Sequence, residues 1–485
     1  VEVFKNISSN LGAALVYITV LLLTAFATIV NLKFGTSAGM ILYLFPASLL
    51  ILLFLIERPF LAFLSLFTIN YLISGLSRYI HSLAPGIFMD MTLIVIILVV
   101  ILQVFRKDSP LNFKYSLHPL TLLSFIWLIY CVLQAFNPSS SSIVAWATSV
   151  RGVGMYFFII VLLTSLFVSK YKHIRKIIIL WALLSIFAVL KAFIQKTFGF
   201  DFAEQRWLDA GGRTTHIIYS GIRYFSIFTD AANFGTGIAF SMLVFGIAAI
   251  YIKEYKLRIF LAVTAAICAY GMIISGTRGS LAVPFIGLVA FAFLSKKFKI
   301  IIITTLFVAG GYWFLSETSY GQGNQYIRRM RSAFNPEDPS LLVRFENQRI
   351  LKIYMRDKPL GAGLGMSRGS ATSYMPDPVL AIIPSDSWYV LIWVETGIVG
   401  LILHLLILMY ILLHGSFLVM FRLKTPEIKG IVTAILCGIS GIYTAAYSIE
   451  ILGQFPFAFI TFICMTIVFI SPRIEKELIN EQYSA

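Results

Sequence analysis

Apolar runs long enough to cross a bilayer recur along this chain, at roughly 11–31, 37–56, 60–76, 86–105, 118–136, 152–169, 176–195, 233–252, 258–275, 280–295, 299–315, 387–413, 430–447 and 451–470. About 20 helical residues cover the hydrocarbon core. The pattern therefore predicts an all-α, polytopic integral membrane protein with about fourteen transmembrane helices. The first run is read as a retained span, because a secretory signal has a shorter core of about 7 to 15 residues. Its flank, VEVFKN, carries a single Lys. Two connections break the rhythm by their length, 195–232 and 316–386. No repeat relates them, and no inverted pair of Gly/Pro-broken helices of the transporter kind is visible. The chain thus reads as one membrane domain, 1–485, carrying a cap made from the two long loops, the second of them helical.

Charge orients the spans. Alternate connections collect Arg58, Arg106, Lys107, Lys170, Lys176, Lys253, Lys296, Lys297, Arg422 and Lys429 on one face, which the positive-inside bias makes cytoplasmic. Both termini then point inward and both long loops outward. The net charge of +16 is spread over these short connections, so membrane lipid rather than nucleic acid is the expected counterpart. Hydrophobic residues make up 59% of the chain and charged ones 12%, against about a quarter charged in soluble domains. Cys131, Cys268, Cys437 and Cys464 lie in apolar runs without metal-ligand spacing. Neither a disulfide nor a metal site is expected, and no cofactor.

The second long loop is where generic membrane sequence gives way to chemistry. Arg328, Arg329, Arg331, Arg344, Arg349, Lys352, Arg356, Lys358 and Arg368 crowd it, on the side where the topological bias disfavours basic residues. Asp338 and Pro339 form a helix start. Arg344, Gln348, Lys352 and Arg356 then recur every fourth residue, predicting a basic stripe on one helical face. Pro359 and the run Gly361, Gly363, Gly365 end it. That GAGLG run has no preceding strand and no Gly-Lys-Ser, so it reads as a turn bringing backbone close to a ligand or a helix. Arg278 lies in SGTRGS, a very short outward turn, where position alone suggests snorkelling to the interface. In the first long loop, GIRYFSIFTDAANFG offers Arg223, Asp230 and Asn233. Asp230 serves either as a helix cap or as a sugar ligand. Arg206, Arg213 and His216, interleaved with Trp207 and Tyr219, are candidates to line an acceptor groove.

These stretches carry a resemblance. The Arg344 helix, DKPLGAGLG and PSDSWYVLIWVETGIVGL resemble the core motifs of the O-antigen ligase and polymerase superfamily. Its members pair an Arg-bearing helix with a dPllGvGlG-like turn and an HNxYLxxxxExGxxGL-like helix start. The likeness covers roughly Arg223 to Leu413, and the S/T-R-G turn holding Arg278 resembles the family's other functional arginine. One position departs: where ligases of this family carry His, this chain has Asp386, followed by Ser387. Asp386 then acts as general base or merely caps the helix that begins at Trp388.

The resemblance implies a metal-independent, inverting glycosyltransferase of a bacterial inner membrane, with its site on the extracytoplasmic side. Its donor would be a glycan on polyprenyl (undecaprenyl) diphosphate. The acceptor would be a second lipid-linked glycan, lipid A core or a protein hydroxyl. Arg278, Arg344 and Asp386 are the expected catalytic residues. Arg223, Asp230, Arg349, Lys352, Arg356, Arg213 and His216 are the expected substrate contacts. The missing His tilts the expectation from ligase towards polymerase of O-antigen or exopolysaccharide. A protein O-oligosaccharyltransferase and a lipid-linked glycan flippase are the alternatives.

Overall fold

The computed structural model describes residues 50–80, 84–219, 221–335, 337–367 and 379–483, with isolated positions between 21 and 28. Most of the apolar runs at 11–31 and 37–56, and Arg368, lie outside the described residues. Twelve helices among the described residues are long and apolar enough to cross a membrane. They are α1 (Pro59–Tyr79), α2 (Pro85–Val104), α3 (Pro119–Phe136), α4 (Ile143–Phe167), α5 (Tyr171–Phe198), α6 (Ala231–Tyr251), α7 (Tyr255–Ile274), α8 (Arg278–Ser295) and α9 (Phe298–Ser316), followed by α11 (Trp388–Arg422), α12 (Pro426–Ala445) and α13 (Phe457–Glu481). Between α9 and α11 lies the loop helix α10 (Pro339–Tyr354). In hydrocarbon, helices of this kind satisfy every backbone polar group within the segment.

The chain forms two compact units, a small one from Val1–Ala62 and Leu93–Ser109 and a large one from Phe63–Thr92 and Pro110–Ala485. In the small unit the side chains of Gln103 and Arg106 both donate to the Ile56 carbonyl. In the large unit 89% of the most apolar stretch of α13 and 83% of that of α12 is buried, against 11% for α9, so α12 and α13 are central and α9 peripheral. Small residues let the central helices approach, as membrane packing requires. A Cβ on Gly441 of α12 would lie 2.6 Å from the Val283 carbonyl oxygen of α8.

Two helix boundaries differ from the sequence expectation. The span expected to begin at 152 starts at Ile143, because Ser142 caps it through the Ala145 N–H and Asp90 neutralises Arg151 within it. The final span begins at Phe457 instead of 451, since Ile451–Gly453 is a separate turn. The first long loop folds as short helices, Phe202–Trp207 and Arg213–His216, and a two-residue ribbon pairing Ile217 with Ile222. Arg78 of α1 fastens that loop: it donates to the Ser226 carbonyl at 2.8 Å while its guanidinium lies over the rings of Trp207 and Phe225.

The GAGLG run is a brace. At Gly397 (φ 74°) α11 leaves helical geometry for one residue, which frees carbonyls that the run then satisfies. Ala362 N–H donates to Val394 at 2.8 Å and Gly363 N–H to Glu395 at 3.1 Å, while Val399 N–H returns a bond to Pro359 at 3.4 Å. Gly361 (φ 88°) sits so close that a Cβ would stand 2.5 Å from the Glu395 carbonyl oxygen. Asn137, from the turn after α3, donates to the Leu360 carbonyl at 2.9 Å. The turn therefore approaches a helix, one of the two readings its composition allowed.

Candidate active site

On the side of the long loops, the large unit encloses a cavity of about 710 Å³. Arg223, Asp230, His216, Arg278, Arg344 and Asp386 line it, together with Arg329, Ser448, Glu450 and Gln454. A second groove of about 380 Å³ shares Arg278, Gly279, Arg344 and Ser448 with it. Its other walls include Leu281, Ala282, Phe285 and Ile286 of α8, Phe334, and Leu341 of α10. Guanidinium groups thus stand where the cavity and an apolar groove along α8 share a wall.

Four segments deliver the arginines. Arg278 begins α8, and its Nη1 donates to Asp338 and, at 3.2 Å, to Ser332. Asp338 also caps α10, accepting the Ser340 N–H at 2.9 Å, so one carboxylate ties the start of α8 to the start of α10. Burial works to raise the Asp338 pKa, but the Arg278 bond and charge and the two capping N–H groups outweigh it and hold it below the usual carboxylate value. Arg344, in the second turn of α10, reaches the Ser448 carbonyl at 3.3 Å. Arg223 donates to the Thr215 carbonyl at 3.0 Å and to the Thr277 hydroxyl at 3.2 Å. Arg329 comes from the short helix Gln325–Arg331.

These cations feel one another. Burial lowers the Arg223 pKa, and the charges of Arg278 and Arg344 lower it further against the opposing pull of Asp230. Arg329 is pushed to about 10 by burial, with Arg223 and Arg278 adding to the effect. Mutual repulsion in a partly desolvated cluster is relieved by an anion carrying two or more charges.

The carboxylates enter from other segments. Asp386 is exposed in the cavity and adopts φ 50°, a left-handed conformation that costs a non-glycine residue energy and gathers at functional sites. It is not the cap of α11. Ser387 is, accepting the Val390 N–H at 3.5 Å. Among the described residues no hydrogen-bond donor meets the Asp386 carboxylate. Glu450 accepts the hydroxyl of neighbouring Ser385. Asp230 lines the cavity but is committed as the cap of α6, accepting the Ala232 and Asn233 N–H groups at 2.7 and 2.9 Å.

His216 is also committed. Its Nε2 accepts the Ala231 N–H at 3.1 Å, which leaves the proton on Nδ1, 2.9 Å from the Gly212 carbonyl. Burial drives its pKa to about 4, the Gly212 bond opposing and the Arg223 charge adding. A neutral ring with both nitrogens occupied positions a helix end and has no lone pair for a substrate proton. Arg213 lies outside the cavity in an exposed pair with Asp209 at 2.6 Å. Arg206 donates instead to the Arg78 carbonyl at 3.0 Å, and Trp207 packs on Phe225. Arg349, Lys352 and Arg356 are exposed and do not line the cavity. Arg356 falls beyond the end of α10 at Tyr354, so the four-residue stripe is cut short.

Sequence reading passed over Glu450 and did not single out Arg329. Glu450 had a signal: it is the lone acidic residue in a short connection between two spans, where an ionisable group marks function by default. Arg329 was one of three arginines in four positions, and only the fold shows which of them turns inward.

Residues 263–405 match the family model described as O-antigen ligase. The resemblance to the O-antigen ligase and polymerase superfamily therefore holds over the stretch with Arg278, Arg329, Arg344 and Asp386, a narrower span than the motifs suggested. Arg223, Asp230 and Glu450 lie outside it. No curated protein and no solved structure matches the chain.

Proposed function

We propose that this protein is a membrane glycosyltransferase that moves a glycan from polyprenyl diphosphate to an acceptor hydroxyl, with polymerisation favoured over ligation. The acceptor oxygen attacks the anomeric carbon, the bond from that carbon to the diphosphate oxygen breaks, and the lipid diphosphate leaves with both electrons. A single displacement of this kind inverts the anomeric centre. Arg278 and Arg344, with Arg223 and Arg329 behind them, stabilise the charge that grows on the leaving group, where preorganised donors contribute most. Asp386 takes the acceptor proton. Its carboxylate, which meets no donor among the described residues, and its left-handed backbone support that role over capping. The apolar groove along α8 receives the first prenyl units. The reaction takes place on the extracytoplasmic side of a bacterial inner membrane, where the lipid already carries the activated bond.

The convergence of four guanidinium groups from four separate segments on a cavity that shares a wall with an apolar groove carries this reading. The test uses membranes loaded with the lipid-linked donor. Arg278→Ala and Arg344→Ala should each lower transfer about 10²- to 10³-fold while donor accumulates on the outer leaflet. Lysine at either position should rescue poorly, because ammonium lacks the planar fork. Donor accumulating instead on the cytoplasmic leaflet would overturn the enzyme reading in favour of a transporter.

A further inference from the structure

The connection between α12 and α13 carries Gln454, which lines the arginine cavity and has no part in the chemistry above. Its backbone is fully used. The N–H donates to the Ile451 carbonyl at 3.4 Å, and the carbonyl accepts the Ala458 N–H at 2.9 Å as α13 opens. The connection is also held on both sides of it. A Cβ on Gly453 would lie 2.3 Å from the Trp388 ring, and the Pro456 carbonyl accepts from Asn70 of α1 at 3.1 Å.

The partners of the Gln454 side chain settle which way its amide faces. Asn233, fully buried in the first turn of α6, bonds to the Phe455 carbonyl at 2.8 Å. A carbonyl only accepts, so the Asn233 atom in that bond is the amide nitrogen. The same nitrogen lies 3.2 Å from the Gln454 amide, and the Thr229 hydroxyl lies 2.9 Å from it. Two N–H₂ groups facing each other would repel, so Gln454 turns its oxygen, Oε1, to both partners. Asn233 does not line the cavity, whereas Gln454 does. The oxygen end is therefore turned into the protein. Nε2, which meets no acceptor among the described residues, is left on the cavity side.

The cavity thus holds a neutral donor among its full charges. A donor whose backbone and acceptor end are both held beforehand loses little freedom on binding. Its position indicates the class of partner. Arg278, Gly279, Arg344 and Ser448 line both the cavity and the groove, while Gln454 lines the cavity alone, as Asp386 does. With the prenyl chain in the groove and the diphosphate on the shared wall, the part of the cavity that Gln454 lines takes sugar. Hydroxyl and acyl oxygens of a sugar are neutral acceptors that suit such a donor. We infer that Gln454 is a specificity-determining residue, which donates Nε2–H to an oxygen of a sugar unit in the cavity and so selects glycans that carry an acceptor there. The inference rests on the glycan-transfer reading for its substrate class. Donor and acceptor glycans share the chemistry and are separated by the test.

The test uses the full chain in lipid nanodiscs, with lipid-linked donor and soluble acceptor oligosaccharides hydrolysed from the host's surface polysaccharide varied in turn. Gln454→Glu keeps an oxygen for Thr229 and Asn233 but replaces the N–H₂ group with a second acceptor. Gln454→Met removes both ends. Each should raise the half-saturating concentration of one glycan substrate about 3- to 10-fold, while inhibition by inorganic diphosphate stays unchanged. A rise for the donor assigns the contacted sugar to the donor, and a rise for the acceptor assigns it to the acceptor. Unchanged constants in Gln454→Glu would reduce the residue to a brace and overturn the inference. Equally weakened inhibition by diphosphate would overturn it too, because the substitution would then act through the arginines. So would a loss in Gln454→Glu that Gln454→Met does not share, which charge repulsion alone would explain. Should Gln454→Met fail to fold, Gln454→Glu and diphosphate inhibition decide the matter. Failure of the glycan-transfer reading would show itself separately, as normal transfer by Arg278→Ala and Arg344→Ala.

Discussion

Replacing Asp386 by Gly should inactivate the protein without destabilising it. A non-glycine residue held at φ 50° carries a strain of roughly 1 to 2 kcal/mol, less for Asp, whose short polar side chain tolerates this region. Glycine removes that strain but adds unfolded-state freedom of about 0.5 to 1 kcal/mol. The difference lies between about zero and 1 kcal/mol in favour of the variant. Were Asp386 the cap of α11, removing its side chain would cost about 1 kcal/mol or more. That cost should fall on Ser387→Ala instead, because the Ser387 hydroxyl accepts the Val390 N–H. Activity should move the other way: Asp386→Gly and Asp386→Asn each lose about 10²- to 10⁴-fold if a proton acceptor is removed. The assays are thermal unfolding of detergent-purified protein, followed by size-exclusion fluorescence, and transfer from lipid-linked donor with protein amount matched. Full transfer by Asp386→Asn, or a Tm for Asp386→Gly as low as that of Ser387→Ala, would refute the assignment.

Gly361→Ala should lower Tm strongly, by an amount corresponding to about 2 to 4 kcal/mol, since a left-handed φ and a backbone clash act together; unchanged unfolding would mean the brace is loose. His216 should make stability fall with pH: its pKa drops from 6.5 unfolded to about 4 folded, so the unfolded chain takes up the proton first. Tm should be level above pH 6.5, decline towards pH 4, and decline less in His216→Gln. For topology, Tyr320→Cys should react with an impermeant thiol reagent added outside intact cells and Lys297→Cys should not; the reverse would place the arginine cavity in the cytoplasm.

The spans were legible because periodicity and length are local properties. What escaped were choices made between distant segments. Ser385, Asp386 and Ser387 are all competent caps, and the selection depends on where α11 docks, with the Trp388 N–H bonded to the Ala446 carbonyl at 2.9 Å. Spacing aligned Arg344 with Lys352 and Arg356 but could not tell that the helix stops at Tyr354. Glu450 lacked a visible role because its partner Ser385 lies 65 positions away. Arg151 fell just outside the run expected to begin at 152, because its counter-charge, Asp90, belongs to another helix.

The brace between the glycine run and Gly397 has a consequence for how such a protein can diversify. Arg344 rides on α10, which leads through Met355 and Pro359 directly into the run, and Asp386 stands at the head of the helix the run grips. The separation of Arg344 and Asp386 is thereby set by main-chain bonds whose atoms every residue possesses. A single residue added between Pro359 and Gly365 would shift both. Substitutions elsewhere around the cavity can therefore accumulate while that separation is inherited unchanged.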